Sequence, residues 1–146
     1  MSVRKKNKSG QLKVKSRTEN LSEIRDFVSG NARADDIPEV TVENIILAVD
    51  EACTNIIKHA YNLSPEGEIL IKIDYDEDKF MVTIIDYGKS FEPDRVPLPD
   101  LQKYYREHRV GGLGMYLMKS LMDDVEYRSV PGQYNQVLLS KNIRSG

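Results

Sequence analysis

The sequence has few of the features that mark extracellular, membrane or nucleic-acid-binding proteins. Its one cysteine, Cys53, excludes an internal disulfide and a zinc site built from several cysteines. No apolar run approaches the ~20 residues of a membrane span, and the basic start "MSVRKKNKSG" lacks the apolar segment of a signal peptide. A net charge of −2 gives no overall attraction to nucleic acid or anionic lipid. We therefore expect a cytoplasmic protein with no membrane partner and no direct nucleic-acid partner.

The composition is that of one globular domain. The chain has 146 residues, of which 40% are hydrophobic and 30% charged. This length is sufficient for one buried core. Residues 1–10, rich in Lys, Asn, Ser and Gly, are interpreted as a flexible basic tail, and residues 11–146 as a single domain.

Hydrophobic spacing divides the first part of the domain into strands and helices. A strand over "QLKVKSR" precedes a helix over "ENLSEIRDFVSGNARA", which Gly30 and Asn31 are expected to end. A longer helix opens at Pro38 and Thr41 and runs to about Tyr61. Two alternating runs, "EILIKIDY" and "KFMVTIID", predict a hairpin with "DED" as its turn.

A long loop and a glycine-led helix follow the hairpin. Residues 87–111 show no periodicity and contain Pro93, Pro97 and Pro99. They indicate a lid or binding loop, because passive connections are rarely this long. The helix "GGLGMYLMKSLMDD" comes next, followed by the strands "VEYRSV" and "NQVLLSK". This order predicts an α+β fold, a two-layer sandwich with helices on one face of a mixed, mainly antiparallel sheet.

The long helix has two different faces. Its apolar side is expected to pack on the sheet and consists of Val42, Ile46, Val49, Cys53, Ile56 and Ala60. The opposite side is a polar stripe of Asn44, Glu51, Asn55 and Lys58. A solvated polar face accounts for such stripes in most amphipathic helices. The chemical alternative is that Asn55 ligates Mg²⁺, Glu51 takes a proton and Lys58 holds a phosphate.

Two further motifs suit a nucleotide pocket, although each also has a plain structural explanation. Gly111, Gly112 and Gly114 lead into a helix, where backbone N–H groups can bind an anion or simply form a turn and cap. Asp86 ends a strand, where its carboxylate could accept a hydrogen bond from an exocyclic amine such as that of adenine. Gly88 would leave room for the base. A loop cap by Asp86 is the alternative.

The order of these motifs resembles that of the GHKL (Bergerat-fold) ATPase superfamily. "EACTNIIKHAY" is similar to its N box, "DYGKSF" to its first glycine box and "GGLGMYLMKSLMDDVEY" to its second. Within the superfamily, these boxes resemble those of the compact anti-sigma-factor serine/threonine kinases. The resemblance covers about Thr41 to Leu139 and, more loosely, the first strand and helix. Each box alone is moderately specific, and the three together are highly specific.

The resemblance implies a role for individual residues. It makes Glu51 the general base, Asn55 the Mg²⁺ ligand and Asp86 the residue that binds the adenine amine. From the lid, Arg109 could reach the γ-phosphate. The residues implied in ATP binding besides Asn55 and Asp86 are Lys58, Gly88, Arg109, Gly112, Leu113, Gly114 and Asn135.

The sequence departs from the family pattern at two places. The usual Asp-x-Gly-x-Gly has Ser90 at its last position, which would cost about 1–2 kcal/mol if that site needs a positive φ. Tyr134 and Asn135 replace the usual Gly-Thr pair near the end of the chain, although Asn135 could still hydrogen-bond toward Asp86. Both departures bear on nucleotide affinity.

The resemblance implies a protein serine/threonine kinase that uses ATP and Mg²⁺ and regulates transcription by partner switching. Its expected partners are a sigma factor, held inactive, and an anti-anti-sigma protein of STAS type, which it phosphorylates. A homodimer is expected, with Arg17, Glu23 and Arg25 on a candidate partner surface. The alternative is a nucleotide-binding module that has lost catalysis. A histidine-kinase fragment is disfavoured, because His59 and His108 are wrongly placed for a phosphoacceptor.

Overall fold

The domain is built on a five-stranded sheet. The computed structural model describes residues 8–34, 36–90 and 114–143. The strands run in the spatial order β1-β2-β3-β5-β4. Their bounds are β1 Lys8–Lys15, β2 Glu68–Tyr75, β3 Lys79–Asp86, β4 Asp124–Val130 and β5 Tyr134–Asn142.

Helices pack on one face of this sheet. The α-helices of the described residues are α1 Leu21–Ala34, α2 Glu39–Asn55 and α3 Gly114–Leu121. A short 3₁₀ turn, Thr18–Asn20, precedes α1, and a wider π-helical turn, Ile56–Ala60, follows α2 directly. None of the helices in the described part of the chain is long and apolar enough to cross a membrane. The expected α+β, two-layer fold is confirmed.

The sheet is simpler than the mixed, mainly antiparallel one expected, because all four pairings among the described strands are antiparallel. Residues 76–78 and 131–133 connect β2 to β3 and β4 to β5. Turns this short can join only antiparallel neighbours, whereas a parallel pair needs a long crossover.

The strands alternate between a buried and a half-buried face. β2 and β3 begin and end at the predicted residues, because a strict period of two leaves little freedom in assigning them. Their inward residues and those of β5 are fully buried under the helices and include Ile69, Ile71, Ile73, Val82, Ile84 and Leu139. β1 takes the last three residues of the expected tail, since residues 8–10 pair with residues 73–75 of β2.

The first helix continues past the expected stop at Gly30 and Asn31 and ends at Ala34. The Asn31 side chain donates to the Phe27 carbonyl one turn back, at 2.8 Å, instead of ending the helix. Ala32 is completely buried. A buried contact in the following turn therefore overrides the helix-ending tendency of Gly30.

The second helix is buried on more than one side, because it contacts both α1 and α3 in the helical layer. Ile45, Ala48 and Ala52 are buried in addition to most of the predicted apolar face. Ile46, expected to be buried, is only partly so. Cys53 is fully buried, and burial raises the pKa of its thiol, so the thiol is chemically inert as expected.

Candidate active site

The regular α-helical geometry of α2 ends at Asn55. The next five residues form a π-helical turn, in which the Tyr61 N–H reaches the Ile56 carbonyl five residues back, at 3.0 Å. Asn55 is 8% exposed although its side chain is polar. Single π-helical turns within helices frequently occur at functional sites, because they re-aim the side chains around them. The predicted continuous helix to Tyr61 is therefore interrupted at the residue expected to hold Mg²⁺.

Glu51 lies one turn before Asn55 and is half-buried. Its Oε2 is buried and has no hydrogen-bond partner among the described residues. Burial raises the pKa of this carboxyl, the neighbouring Asp50 raises it further, and the Lys58 ammonium partly opposes both. A desolvated carboxylate with one oxygen unpartnered is well suited to accept a proton.

The two charged neighbours of Glu51 differ in their surroundings. Asp50 accepts a hydrogen bond from Arg25 of α1, at 2.7 Å, in an ion pair between the two helices that balances part of its charge. Lys58 lies on the π-helical turn and is half-exposed. Its charge is felt at Glu51. Glu51 and Lys58 of the predicted polar stripe are therefore close enough to interact electrostatically.

Asp86 is almost completely buried at the end of β3, with 2% exposure. Its Oδ1 accepts the Gly88 N–H at 3.0 Å and the Asn135 amide N–H at 2.8 Å. Burial raises the pKa of Asp86, and these two hydrogen bonds oppose the rise. Both the predicted strand-end position of Asp86 and the predicted hydrogen bond from Asn135 are therefore present.

Gly88 brings the turn after β3 against the end of the long helix. A Cβ added at Gly88 would lie 2.5 Å from the Ala60 carbonyl oxygen and 2.9 Å from the Ala60 Cβ. In addition, the Lys89 N–H donates to the Ala60 carbonyl at 2.7 Å. Only glycine allows this close approach. Asp86 and the π-helical turn that follows α2 are thus parts of one site.

Tyr61 connects the same elements through its hydroxyl, which sequence reasoning did not single out. The hydroxyl donates to the Glu68 carbonyl and accepts the Tyr87 N–H at 2.8 Å. The ring lies over Gly67, where a Cβ would come within 2.4 Å of it. Tyr61 is the last residue of the "EACTNIIKHAY" motif, so the motif contained this signal, but nothing in the sequence states which backbone groups the hydroxyl reaches.

Ser90 is not strained. Its φ is not among the positive values found in the described residues, so the cost anticipated for a left-handed serine does not arise. Its hydroxyl instead hydrogen-bonds the Asn135 amide oxygen at 3.1 Å and the Ser129 hydroxyl at 2.7 Å. Ser129 was not identified from the sequence as part of the site. Its place opposite Asn135 in the β4–β5 hairpin was the available signal.

The phosphate side of the expected site falls largely outside the described residues. This applies to Arg109, Gly112 and Leu113, and to residues 91–111 of the expected lid. Gly114 is the first residue of α3, in agreement with the prediction of a helix preceded by glycines. The predicted site residues that are described form two groups. Glu51, Asn55 and Lys58 lie at the end of α2 and on the π-helical turn, and Asp86, Gly88 and Asn135 are hydrogen-bonded together at the strand ends. The contact of Gly88 with Ala60 joins the two groups.

Comparison with known proteins agrees with this arrangement. The profile of the histidine kinase-like ATPase domain matches residues 14–141. The serine-protein kinase RsbW of Bacillus subtilis (strain 168) is 37% identical over 127 residues, covering 84% of this chain and 79% of the relative. RsbW of Bacillus velezensis is 36% identical with the same coverage. RsbW of Oceanobacillus iheyensis is 33% identical over 139 residues, covering 91% of this chain and 85% of the relative.

A solved structure shows the same fold. The crystal structure of the RsbU and RsbW domains of a Mycobacterium tuberculosis protein superposes with a TM-score of 0.67 at 11% identity, over 92% of this chain and 32% of that one. At this identity the likeness concerns the fold alone. The family is shown by the profile and by the relatives of similar length, and it is the one expected from the three boxes. The chain belongs to the histidine kinase-like (GHKL) ATPase family, among the anti-sigma-factor serine kinases.

Proposed function

We propose that this chain is an ATP-dependent serine/threonine protein kinase that phosphorylates an anti-anti-sigma partner of STAS type and holds a sigma factor inactive. The observation that carries the proposal is the unpartnered, buried Oε2 of Glu51, one helical turn before the buried Asn55. A desolvated carboxylate is unfavourable in a purely structural role, and the Lys58 charge only partly compensates the loss of its hydration. The relatives are named serine-protein kinases, which supports the same conclusion.

The strand ends would bind the base. Asp86 Oδ1 is held by Gly88 and Asn135, so Oδ2 is the oxygen left for the exocyclic amine of adenine. The space left by the missing side chain of Gly88 is taken by Ala60, so Gly88 would shape the base site indirectly, by holding the strand end against the π-helical turn. An amine that donates to a buried carboxylate replaces the water lost on burial, which makes this contact both strong and selective.

The helix would act on the phosphates and the acceptor. Lys58 would hold a phosphate as a point charge, and Glu51 would take the proton of the attacking serine or threonine hydroxyl. The acceptor oxygen would then form its bond to the γ-phosphorus while the bond to the β–γ bridging oxygen breaks and ADP leaves. Positioning and electrostatics supply most of the acceleration in such transfers.

The residues present fit one magnesium ion that shares its ligands with a nucleotide. Within the described residues, no group of three or more His, Cys, Asp or Glu side chains could hold a metal ion. Mg²⁺ is commonly held by one or two protein oxygens together with phosphate oxygens and water. The Asn55 amide oxygen would be that protein ligand. When bound, the ion neutralises charge on the phosphates.

The alternative of a nucleotide-binding module without catalysis has less support, since Glu51 is retained and Ser90 is unstrained. A homodimer and a partner surface around Arg17, Glu23 and Arg25 also remain part of the proposal. Arg17 is engaged with Glu66 and Arg25 with Asp50. The exposed Glu23 is thus the member of this group best placed to contact a partner.

Two substitutions test the proposed function in purified protein. Saturation with Mg-ATP at about 100 times Kd should stabilise the wild type by about 2.7 kcal/mol, and Asn55→Ala should abolish this gain. Glu51→Ala should keep ATP binding but lower phosphate transfer to a STAS substrate about 100- to 10,000-fold. The matched control is Glu43→Ala, an exposed glutamate of the same helix. Transfer by Glu51→Ala at the wild-type rate would refute the assigned base.

A further inference from the structure

Asn135 lies at the centre of a hydrogen-bonded cluster that joins β3, β4 and β5. Its amide nitrogen donates to Asp86 Oδ1 at 2.8 Å and to the Gly88 carbonyl at 3.1 Å. Its amide oxygen accepts the Ser129 hydroxyl at 2.7 Å and the Ser90 hydroxyl at 3.1 Å. Asn135 is 1% exposed, so every polar contact of its side chain matters energetically.

These partners allow the amide only one orientation. On one side, a carboxylate oxygen and a backbone carbonyl can only accept hydrogen bonds, so the NH₂ group must face them. On the other side, the two serine hydroxyls have two protons for three contacts, so at least one of them donates to the amide oxygen while the second donates either to that oxygen or to the neighbouring serine. Rotating the amide by 180° would place its oxygen against the Asp86 carboxylate and the Gly88 carbonyl, which is electrostatically repulsive. The hydroxyls therefore reinforce the orientation in which Asn135 donates to Asp86.

The orientation of Asn135 determines what Asp86 presents to a ligand. With a donor on Oδ1, the buried carboxylate is stabilised in its ionised, acceptor-only form. Its Oδ2 then suits an amine, as in adenine, and not a 6-oxo group, which can only accept. If the amide loses its fixed orientation, a buried carboxyl that has lost a donor takes up a proton more readily and can itself donate, so discrimination against a 6-oxopurine weakens.

We propose that Ser90 and Ser129 are positioning residues for adenine selectivity, acting through the amide of Asn135. This inference rests on the proposed function, because it presupposes that Asp86 binds the base. It also accounts for the two departures from the family pattern together, since Ser90 and Asn135 are in direct contact. Neither serine is required to touch the nucleotide.

The test compares nucleotide binding by the wild type and the double variant Ser90→Ala/Ser129→Ala. Dissociation constants for Mg-ATP and for the magnesium complex of inosine triphosphate would be measured by calorimetry. Loss of the two hydroxyls should weaken ATP binding about two- to tenfold. The ratio of the inosine triphosphate dissociation constant to the ATP dissociation constant should fall by a similar factor, because Asp86 would reject the 6-oxo group less strongly.

A second measurement follows ATP affinity as the pH is lowered. Affinity should fall as Asp86 becomes protonated, and in the double variant the fall should begin at a higher pH. The reason is that burial already raises the Asp86 pKa and the opposing hydrogen bond from Asn135 is weakened. The Tyr61 phenol and the Cys53 thiol also sense the Asp86 charge. Their pKa values are raised, so neither titrates in the acid range.

Controls separate positioning from general destabilisation. Ser129→Thr keeps the hydroxyl and should retain wild-type selectivity. Ser140→Ala removes a buried hydroxyl from the same strand as Asn135 and should change neither the ratio nor the pH profile. If the double variant fails to fold, Ser90→Ala alone, at an exposed position, should show the same changes at reduced size.

Two outcomes would overturn the inference. The first is a folded double variant in which the ratio of the two dissociation constants and the pH dependence of ATP affinity are unchanged. Even with weaker ATP binding, that pattern indicates a merely structural role. The second is a Ser129→Thr variant as unselective as the alanine variant. Failure of the proposed function gives a different result, in which the wild type itself binds no ATP or transfers no phosphate.

Discussion

Replacing Gly88 by alanine tests the close contact between the two halves of the site. The added Cβ would lie 2.5 Å from the Ala60 carbonyl oxygen and 2.7 Å from its carbonyl carbon. Both are backbone atoms and cannot rotate away, so one of the two segments must shift. Such overpacking typically costs about 1–3 kcal/mol. A shift would also weaken the hydrogen bond from Lys89 to Ala60, which contributes about 1 kcal/mol.

The expected loss of about 2–4 kcal/mol corresponds to a fall in Tm of about 6–12 °C for a domain of this size. ATP affinity should drop at least about tenfold, because the Gly88 N–H is one of the two donors that hold Asp86. Differential scanning calorimetry and titration calorimetry would measure the two effects.

The matched control for Gly88→Ala is Gly30→Ala. Gly30 lies inside α1 with nothing within 4 Å of an added Cβ, so alanine should stabilise the protein by about 0.5–1 kcal/mol. A Gly88→Ala variant with the wild-type Tm and the wild-type ATP affinity would refute the close approach of the turn to Ala60.

Two more predictions concern neighbouring groups. Tyr61→Phe should lower the free energy of unfolding by about 1–3 kcal/mol in urea and weaken ATP binding, because the Tyr87 N–H loses its acceptor; unchanged values would contradict this role. Burial raises the Glu51 pKa above the ordinary 4.5, so the native state holds the carboxyl proton of Glu51 more tightly than the unfolded chain does. The free energy of unfolding therefore declines as pH rises from 4.5 through the folded-state pKa of Glu51. Glu51→Gln should lack this decline. If the stability–pH curves of variant and wild type are parallel, Glu51 does not contribute to the pH dependence.

The strands and the strand-end aspartate could be predicted because their signals are local. A period of two identifies both the bounds of β2 and β3 and the side to which each residue points. Asp86 is at an inward position of that pattern, between Ile69 and Asn135 in the sheet. Its burial therefore follows from the same alternation that buries Ile84.

Features that depend on contacts between distant segments could not be read in the same way. The change from α-helix to π-helix after Asn55 lengthens the backbone hydrogen-bond spacing from four residues to five, and the pattern of apolar residues does not reveal it. The continuation of α1 depends on the burial of Ala32 beneath other elements. Ser129 acquires its role only when the β4–β5 hairpin places it opposite Asn135.

The two departures from the family pattern look independent in the sequence because 45 residues separate them, yet they are one local change in the structure. Ser90 lies at an exposed position, and its hydroxyl can donate to the oxygen of the buried Asn135 amide. The Asn135 oxygen in turn needs donors, since Asp86 and Gly88 occupy only its NH₂ group. A glycine at position 90 would remove one donor from a nearly inaccessible amide oxygen. Residues coupled in this way are expected to tolerate joint replacement better than replacement of either one alone.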